Sequence, residues 1–456
     1  MHVLLREWMR TNPCQSADMS NHPLSYRRID YLLLTLVIVL KAHLLLSRWG
    51  IPQGFDIEHF LTVIDTIRMS DSYPGVRDCY ACYTPPFSFL LAMAMQKVTG
   101  NIITAVQVLS TLSMIGVILA LRQTLKHIGL LHTLPGIVFL YVGAGIPLYV
   151  FLSLEITYET VTFLWAALTL LLSIELLWGP VQKRRALLLA SGLTLVLALG
   201  MFTRYSGVIN FCIPFIVLLT RTRPQRSYRL YALVLLSCIV AALVAAPLYY
   251  QRNMKPEGKL FFSGMDFSGG EEVMQRMYKL REERDDHPVL FILHILRLPN
   301  LDFSWPQYDS FFHVSWYQTW KHPGQPRVKT TSPPLVQALS YVYIFLFFVP
   351  LGIGTILFLY HFNKRQTPVL DFGMILFIIA ILFCAAQVYF AFRYPAWQWA
   401  VMKAKYISPA ILWVPFTLAY CLHLLDDQLQ HSRWRSIFVA CCSVFVAAFL
   451  CANHFF

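Results

Sequence analysis

Apolar runs of about 20 residues recur along the whole chain, and this recurrence limits the fold more than any other feature. A segment crossing lipid finds no water for its N–H and C=O groups, so each crossing has to be helical or part of a closed barrel. The runs have the length of helices, not of barrel strands. The composition agrees: 57% of the 456 residues are hydrophobic and 13% are charged, against about 25% charged in a soluble domain. Mean hydropathy is +0.55. The expected fold is therefore all-α, a polytopic integral membrane protein with about eleven transmembrane helices.

The spans are expected near 30–48, 103–121, 134–152, 160–178, 186–203, 206–220, 230–249, 338–361, 368–391, 406–425 and 436–453. Residues 1–29 form a tail carrying Arg6, Arg10, Arg27 and Arg28, and this charge places it in the cytoplasm. The first apolar run, Tyr31 to Leu46, follows that polar stretch and reads as a retained signal anchor. The basic turns at 122–126, 183–185, 221–229, 364–365 and 433–435 fall on the cytoplasmic side if Phe87 to Val98 does not cross. That segment is about 12 residues long, too short to span, and carries Lys97, so it is expected as a juxtamembrane or re-entrant helix. Lys41 lies inside the first span and has to snorkel or face the bundle. The net charge of +13 follows from these turns, and no RNA- or DNA-binding motif accompanies it.

This arrangement gathers the polar stretches 49–102, 153–159, 250–337 and 392–405 on the outer side. In the first of them, Ile57, Phe60, Leu61, Ile64 and Ile67 share a helical face, which predicts an interfacial helix. Asp56, Glu58 and His59 open it. Acidic residues at a helix start are favoured by the helix dipole alone. They are also what group transfer to a hydroxyl or amine needs, as a base for the acceptor's proton or as ligands of a divalent cation. Cys79 and Cys82 form a CxxC, open to reading as half a zinc site, a redox pair or a local disulfide. No second CxxC completes a four-cysteine zinc site, and outside the cytoplasm a disulfide is the plainest account. The cysteines inside apolar runs are expected to be buried small hydrophobes.

An acidic residue with a nearby His after the first span, followed by C-x-x-C-x-x-P-P-aromatic before an apolar helix, resembles the GT-C membrane glycosyltransferases. Within them it is most similar to the protein-mannosyltransferase-like and aminoarabinose-transferase-like group. The resemblance implies a GT-C-like transmembrane domain over 30–456, with a catalytic outer loop at 49–102 and a substrate or acceptor loop at 250–337. It also implies transfer of a sugar from a polyprenyl-phosphate donor to a lipid, glycan or protein on the periplasmic or luminal face. Carried over by position, Asp56 matches the first-loop catalytic acid and Tyr83 to Pro86 the proline turn. Glu159 closes a stretch where the family often has an acid. Phe202 to Gly207, with Arg204, resembles its threonine-basic-glycine segment, and Lys403 to Tyr406 its late basic patch. At Asp56-Ile-Glu58 the family frequently has adjacent acids instead.

The resemblance makes Asp56, Glu58 and His59 the catalytic candidates, with Asp56 the candidate ligand of a divalent metal, Mg or Mn. Tyr83, Glu159, Arg204, Arg393, Lys403, Lys405 and Tyr406 are the substrate-binding candidates. Arg393, Lys403 and Lys405 break the positive-inside pattern, as groups binding a lipid phosphate at the membrane surface would. Trp305, Tyr308, Trp316, Tyr317 and Trp320, with Asp302, Asp309 and His313, make an aromatic-polar cluster suited either to stacking on sugar or to packing the loop. A bacterial inner membrane is the expected location, with the endoplasmic reticulum sharing the same logic. The competing function is a secondary transporter or lipid flippase; a non-catalytic subunit of a membrane complex is the third reading.

Overall fold

The computed structural model describes residues 24–54, 57–70, 73–79, 81–178, 182–220, 228–261, 271–296, 334–363, 367–395, 404–429 and 434–455. These residues are predominantly helical and contain no β-strand. Helix α1 (Leu24–Ser47) is followed by the loop helices α2 (Ile57–Met69) and α3 (Phe87–Thr99). Then come α4 (Ile102–His127), α5 (Leu134–Gly145), α6 (Pro147–Leu152), α7 (Glu159–Trp178) and α8 (Lys183–Thr203). A 3-10 turn (Tyr205–Phe211) leads into α9 (Cys212–Thr220), and α10 (Tyr228–Tyr249) follows. The long loop contributes α11 (Glu271–Asp286) and α12 (Pro288–Leu296). The last long helices are α13 (Pro334–Phe362), α14 (Pro368–Arg393), α15 (Trp413–Gln428) and α16 (Trp434–Phe455), with a 3-10 turn (Ala404–Ile407) and a short helix (Ser408–Ile411) ahead of α15.

Among the described residues eight helices are long and apolar enough to cross a membrane, and shorter apolar helices accompany them. Each of the eleven expected spans falls on one or more of these helical segments. Residues 134–152 are two helices, because Pro147 lacks an N–H and its ring excludes the turn before it. Residues 206–220 begin as a 3-10 turn. Helix α3 has 13 residues, a rise of about 20 Å against about 30 Å of hydrocarbon.

Local signals fix where the helices begin. Asn101 accepts from Ile103 N at 2.8 Å, after Gly100 closes α3 in the left-handed region at φ 75°. Thr133 and Thr367 cap α5 and α14, each with proline in the first turn. Helix α4 packs along α7, α7 along α8, and α8 along α10; α5 packs against α15 and α16. At the bundle end carrying the turns after α4, α7 and α15, ion pairs join the helices. Arg122 meets Asp30 at 2.6 Å, Arg185 meets Glu175, and Arg435 meets Asp426 at 2.7 Å. Lys41 faces the bundle and is fully buried, donating to Ser153 Oγ at 2.7 Å. Cys238 and Cys442 are buried as expected, but Cys212 and Cys441 are exposed. Both lie on apolar helices.

Candidate functional site

The site is built at the opposite end, on the short stretch between α6 and α7. Backbone bonds and α4 hold this stretch. Thr111 Oγ1 donates to Ser153 O at 2.8 Å, Ser110 Oγ to Glu155 O at 2.9 Å, and Ile156 N to Gln53 O at 2.9 Å. Gln107, also on α4, fixes the start of the first loop: its Oε1 accepts from Gly50 N and its Nε2 donates to Arg48 O and Ile51 O. Gly54 then lies against Glu155 at φ 129°, so close that an added Cβ would sit 2.7 Å from Glu155 Cγ.

Four charges meet here. Glu155 is fully buried and accepts from Lys405 Nζ at 2.6 Å. Glu159, 3% exposed, pairs with Arg204. The Arg204 guanidinium lies 4.2 Å from the Tyr406 ring centroid and 5.4 Å from that of Tyr158; Lys405 Nζ is 6.0 Å from the Tyr406 ring. Glu159 also feels the charges of Lys405 and Glu155, so the two pairs act as one balanced quartet. Buried charges persist when paired in this way. Glu155 Oε2 is buried and has no hydrogen-bond partner among the described residues.

The local chain explains why Arg204 is available. Helix α8 stops at Arg204, whose backbone is extended (φ −160°, ψ 151°), and the 3-10 turn folds back at once. Gly207 allows this, because a Cβ there would lie 2.3 Å from Gly200 O. Trp165 Nε1 bonded to Thr203 Oγ1 at 2.9 Å and Tyr249 OH bonded to Met201 O at 2.7 Å hold the helix end.

A second layer ties the first loop to the chain after α10. Cys79 and Cys82 are joined as a disulfide. Tyr205 OH donates to Tyr83 O, and Arg252 donates to Cys82 O and Thr84 O. Arg252 also stacks 4.6 Å from the Tyr73 ring, and Arg77 pairs with Glu257 at 2.6 Å. Burial pushes the Tyr73 phenol above its ordinary range, and the charge of Arg252 opposes this.

Of the candidates read from sequence, Glu159, Arg204, Lys405 and Tyr406 come together, with Tyr83 held by Tyr205. Glu58 and His59 are exposed, on a helix whose buried face is Phe60, Val63 and Ile64. Arg393 is exposed at the end of α14, where Arg284 donates to the carbonyls of Phe392 and Arg393. Asp56, Lys403 and the aromatic cluster at 302–320 lie outside the described residues. Sequence reasoning missed Glu155, Gln107, Tyr158 and Arg252. Glu155 had a signal, an acid four residues before Glu159 in the same short polar stretch. No three His, Cys, Asp or Glu residues converge as metal ligands among the described residues. Glu155 and Glu159 are already neutralised by their cations, so the described side chains do not make up a divalent-cation site by themselves.

The sequence matches no protein-family profile and no curated protein. Solved structures do match. The Archaeoglobus fulgidus oligosaccharyltransferase in its apo form aligns over 93% of this chain and 56% of its own, at 13% identity and a TM-score of 0.56. The same enzyme in complex with Zn and sulfate aligns over 92% of this chain and 53% of its own, at 16% identity and a TM-score of 0.53. ArnT from Cupriavidus metallidurans bound to undecaprenyl phosphate aligns over 93% of this chain and 70% of its own, at 12% identity. Its TM-score of 0.49 adds no weight. The chain thus spans just over half the length of the oligosaccharyltransferase it matches. What the two share is architecture: this chain has the polytopic helical membrane fold of that oligosaccharyltransferase.

Proposed function

We propose that the protein is a membrane glycosyltransferase that moves a sugar from a polyprenyl-phosphate donor to an acceptor on the outer face of its membrane. The observation that carries this reading is the buried quartet of Glu155, Lys405, Glu159 and Arg204 directly beneath the first outer loop. The shared fold with an oligosaccharyltransferase supports it, as does the resemblance of the first loop to the family's catalytic loop. In this reading Asp56, two residues along the chain from Gly54, takes the proton of the acceptor hydroxyl or amine. The acceptor's bond to the sugar forms, the bond from sugar to phosphate oxygen breaks, and the electron pair stays on the phosphate. Arg204, the partly exposed cation of the quartet, stabilises that charge. Lys403 and Arg393 are proposed as outer phosphate contacts, and Tyr83 and Tyr406 as walls for the sugar.

A divalent ion, Mg or Mn, has one supporting feature, the buried Glu155 Oε2 without a partner. With Asp56 it would offer two oxygens; the ion would supply positive charge near the phosphate. Chelation tests this: loss of turnover restored by Mn or Mg supports the ion, and unchanged turnover leaves Asp56 as base alone. The transport reading is favoured by one observation, fully buried Lys41 within the first span. Its ligands, Ser153 Oγ and Tyr149 O, are neutral structural groups. The assay is release of polyprenyl phosphate from a labelled polyprenyl-phosphate sugar by protein in nanodiscs. Asp56→Asn is expected to lower turnover by about 100-fold or more with folding intact. Near-normal turnover by that variant would remove Asp56 from the mechanism.

A further inference from the structure

The quartet poses a problem for any anion. Among the described residues its two negative and two positive charges cancel, and three of the four side chains are almost completely buried: Glu155 at 0%, Glu159 at 3% and Lys405 at 5% exposed. A phosphate brought beside it would face two carboxylates at close range. Yet one member is open. Arg204 keeps 19% of its side chain exposed. Among the described residues the only hydrogen-bonded partner of its guanidinium is Glu159, with the rings of Tyr158 and Tyr406 nearby. A guanidinium has five N–H donors in a planar fork suited to phosphate. Lys405 is the opposite case, a point charge enclosed with Glu155.

We propose that Glu155 and Glu159 act as internal stand-ins for a phosphate, and that the incoming lipid-linked anion takes Arg204 from Glu159 while Lys405 stays with Glu155. This rests on the glycosyltransferase reading and concerns how the same site selects its donor. The stand-ins keep the two cations ordered in the absence of ligand. They also set a threshold: a neutral headgroup offers Arg204 nothing to exchange for a carboxylate, whereas a phosphate oxyanion replaces like with like. Tyr406, which Arg204 stacks on, lets the guanidinium turn without losing its aromatic contact. The exchange forms and breaks no covalent bond.

The test is equilibrium binding to purified protein in nanodiscs, with polyprenyl phosphate, uncharged polyprenol and inorganic phosphate as separate probes. Removing the competitor without changing its shape, Glu159→Gln, is expected to tighten polyprenyl phosphate binding about tenfold and leave polyprenol binding unchanged. Arg204→Gln is expected to weaken polyprenyl phosphate binding by a similar factor. Millimolar inorganic phosphate is expected not to displace the lipid; displacement would assign the anion site to free phosphate and overturn the lipid-linked form of the proposal. Equal or weaker binding of polyprenyl phosphate by a folded Glu159→Gln protein overturns the stand-in role while leaving the enzyme reading intact. Wild-type protein that does not distinguish polyprenyl phosphate from polyprenol overturns the glycosyltransferase reading itself. If Glu159→Gln does not fold, Glu159→Asp carries the same test: drawing the carboxylate back by one methylene is expected to tighten binding several-fold, and unchanged affinity overturns the proposal.

Discussion

Single side chains carry most of the argument, and Gly54 is the most exposed to test. It sits at φ 129°, where L-residues are strained, and it faces Glu155 Cγ. Gly54→Ala would add about 1–3 kcal/mol of backbone strain and push on Glu155. We expect turnover to fall about 10- to 100-fold with helix content by circular dichroism unchanged; wild-type turnover would show that this contact does not position the site. The Glu155–Lys405 pair makes a second prediction. Lys405→Met leaves a buried carboxylate alone and should destabilise by about 3–5 kcal/mol, and adding Glu155→Gln should recover much of that. Unfolding of the two variants in detergent checks it; additive losses would mean the pair is not coupled. Much at this scale was legible in sequence. Arg204, Glu159 and Lys405 stood out as ionisable groups at the edges of apolar runs. Glu155 did not, because its meaning depends on a partner 250 positions away in the chain. Gln107 reads as an ordinary polar residue in a span until the first loop folds onto it.

Whole elements explain why the first loop is ordered enough to serve a site. The turn at 79–84 is closed by the disulfide and held by Arg252, while Tyr73 OH donates to Thr84 O at 3.0 Å. Replacing both cysteines with serine removes the constraint on a short loop, worth about 2 kcal/mol in the chain-entropy account. Those other contacts remain, so the protein should still fold. Hydrogen exchange at 79–84 should rise in the variant, with little change in α4 or α7. Exchange that rises throughout the bundle would show the disulfide to be a global constraint instead. The sequence marked the CxxC. The clasp from Arg252 was not visible, because Arg252 lies in a π-helical turn (Tyr250–Met254) that no periodicity announces. Likewise Pro147 was readable as a breaker inside 134–152, but apolar length alone favoured one continuous span.

At the scale of the molecule, the alternation of apolar runs and basic turns made the all-α bundle legible, since lipid leaves few alternatives. The sidedness is a proposal with its own test. Single cysteines at Met69 and Lys259, in a background without free thiols, should both react with an impermeant reagent from outside, and one at Lys183 should not. Reaction of only one of the first two would break the topology that gathers the site. The central claim is chemical: the outer end of this bundle cleaves a sugar–phosphate bond. It is tested most directly by incubating wild-type and Arg204→Gln protein, in nanodiscs, with a panel of polyprenyl-phosphate sugars and measuring polyprenyl phosphate released. We predict release by the wild type with at least one sugar and a loss of about 100-fold or more in the variant. A wild type that binds these donors but never releases polyprenyl phosphate, or a folded Arg204→Gln protein that releases it at the wild-type rate, would contradict the account.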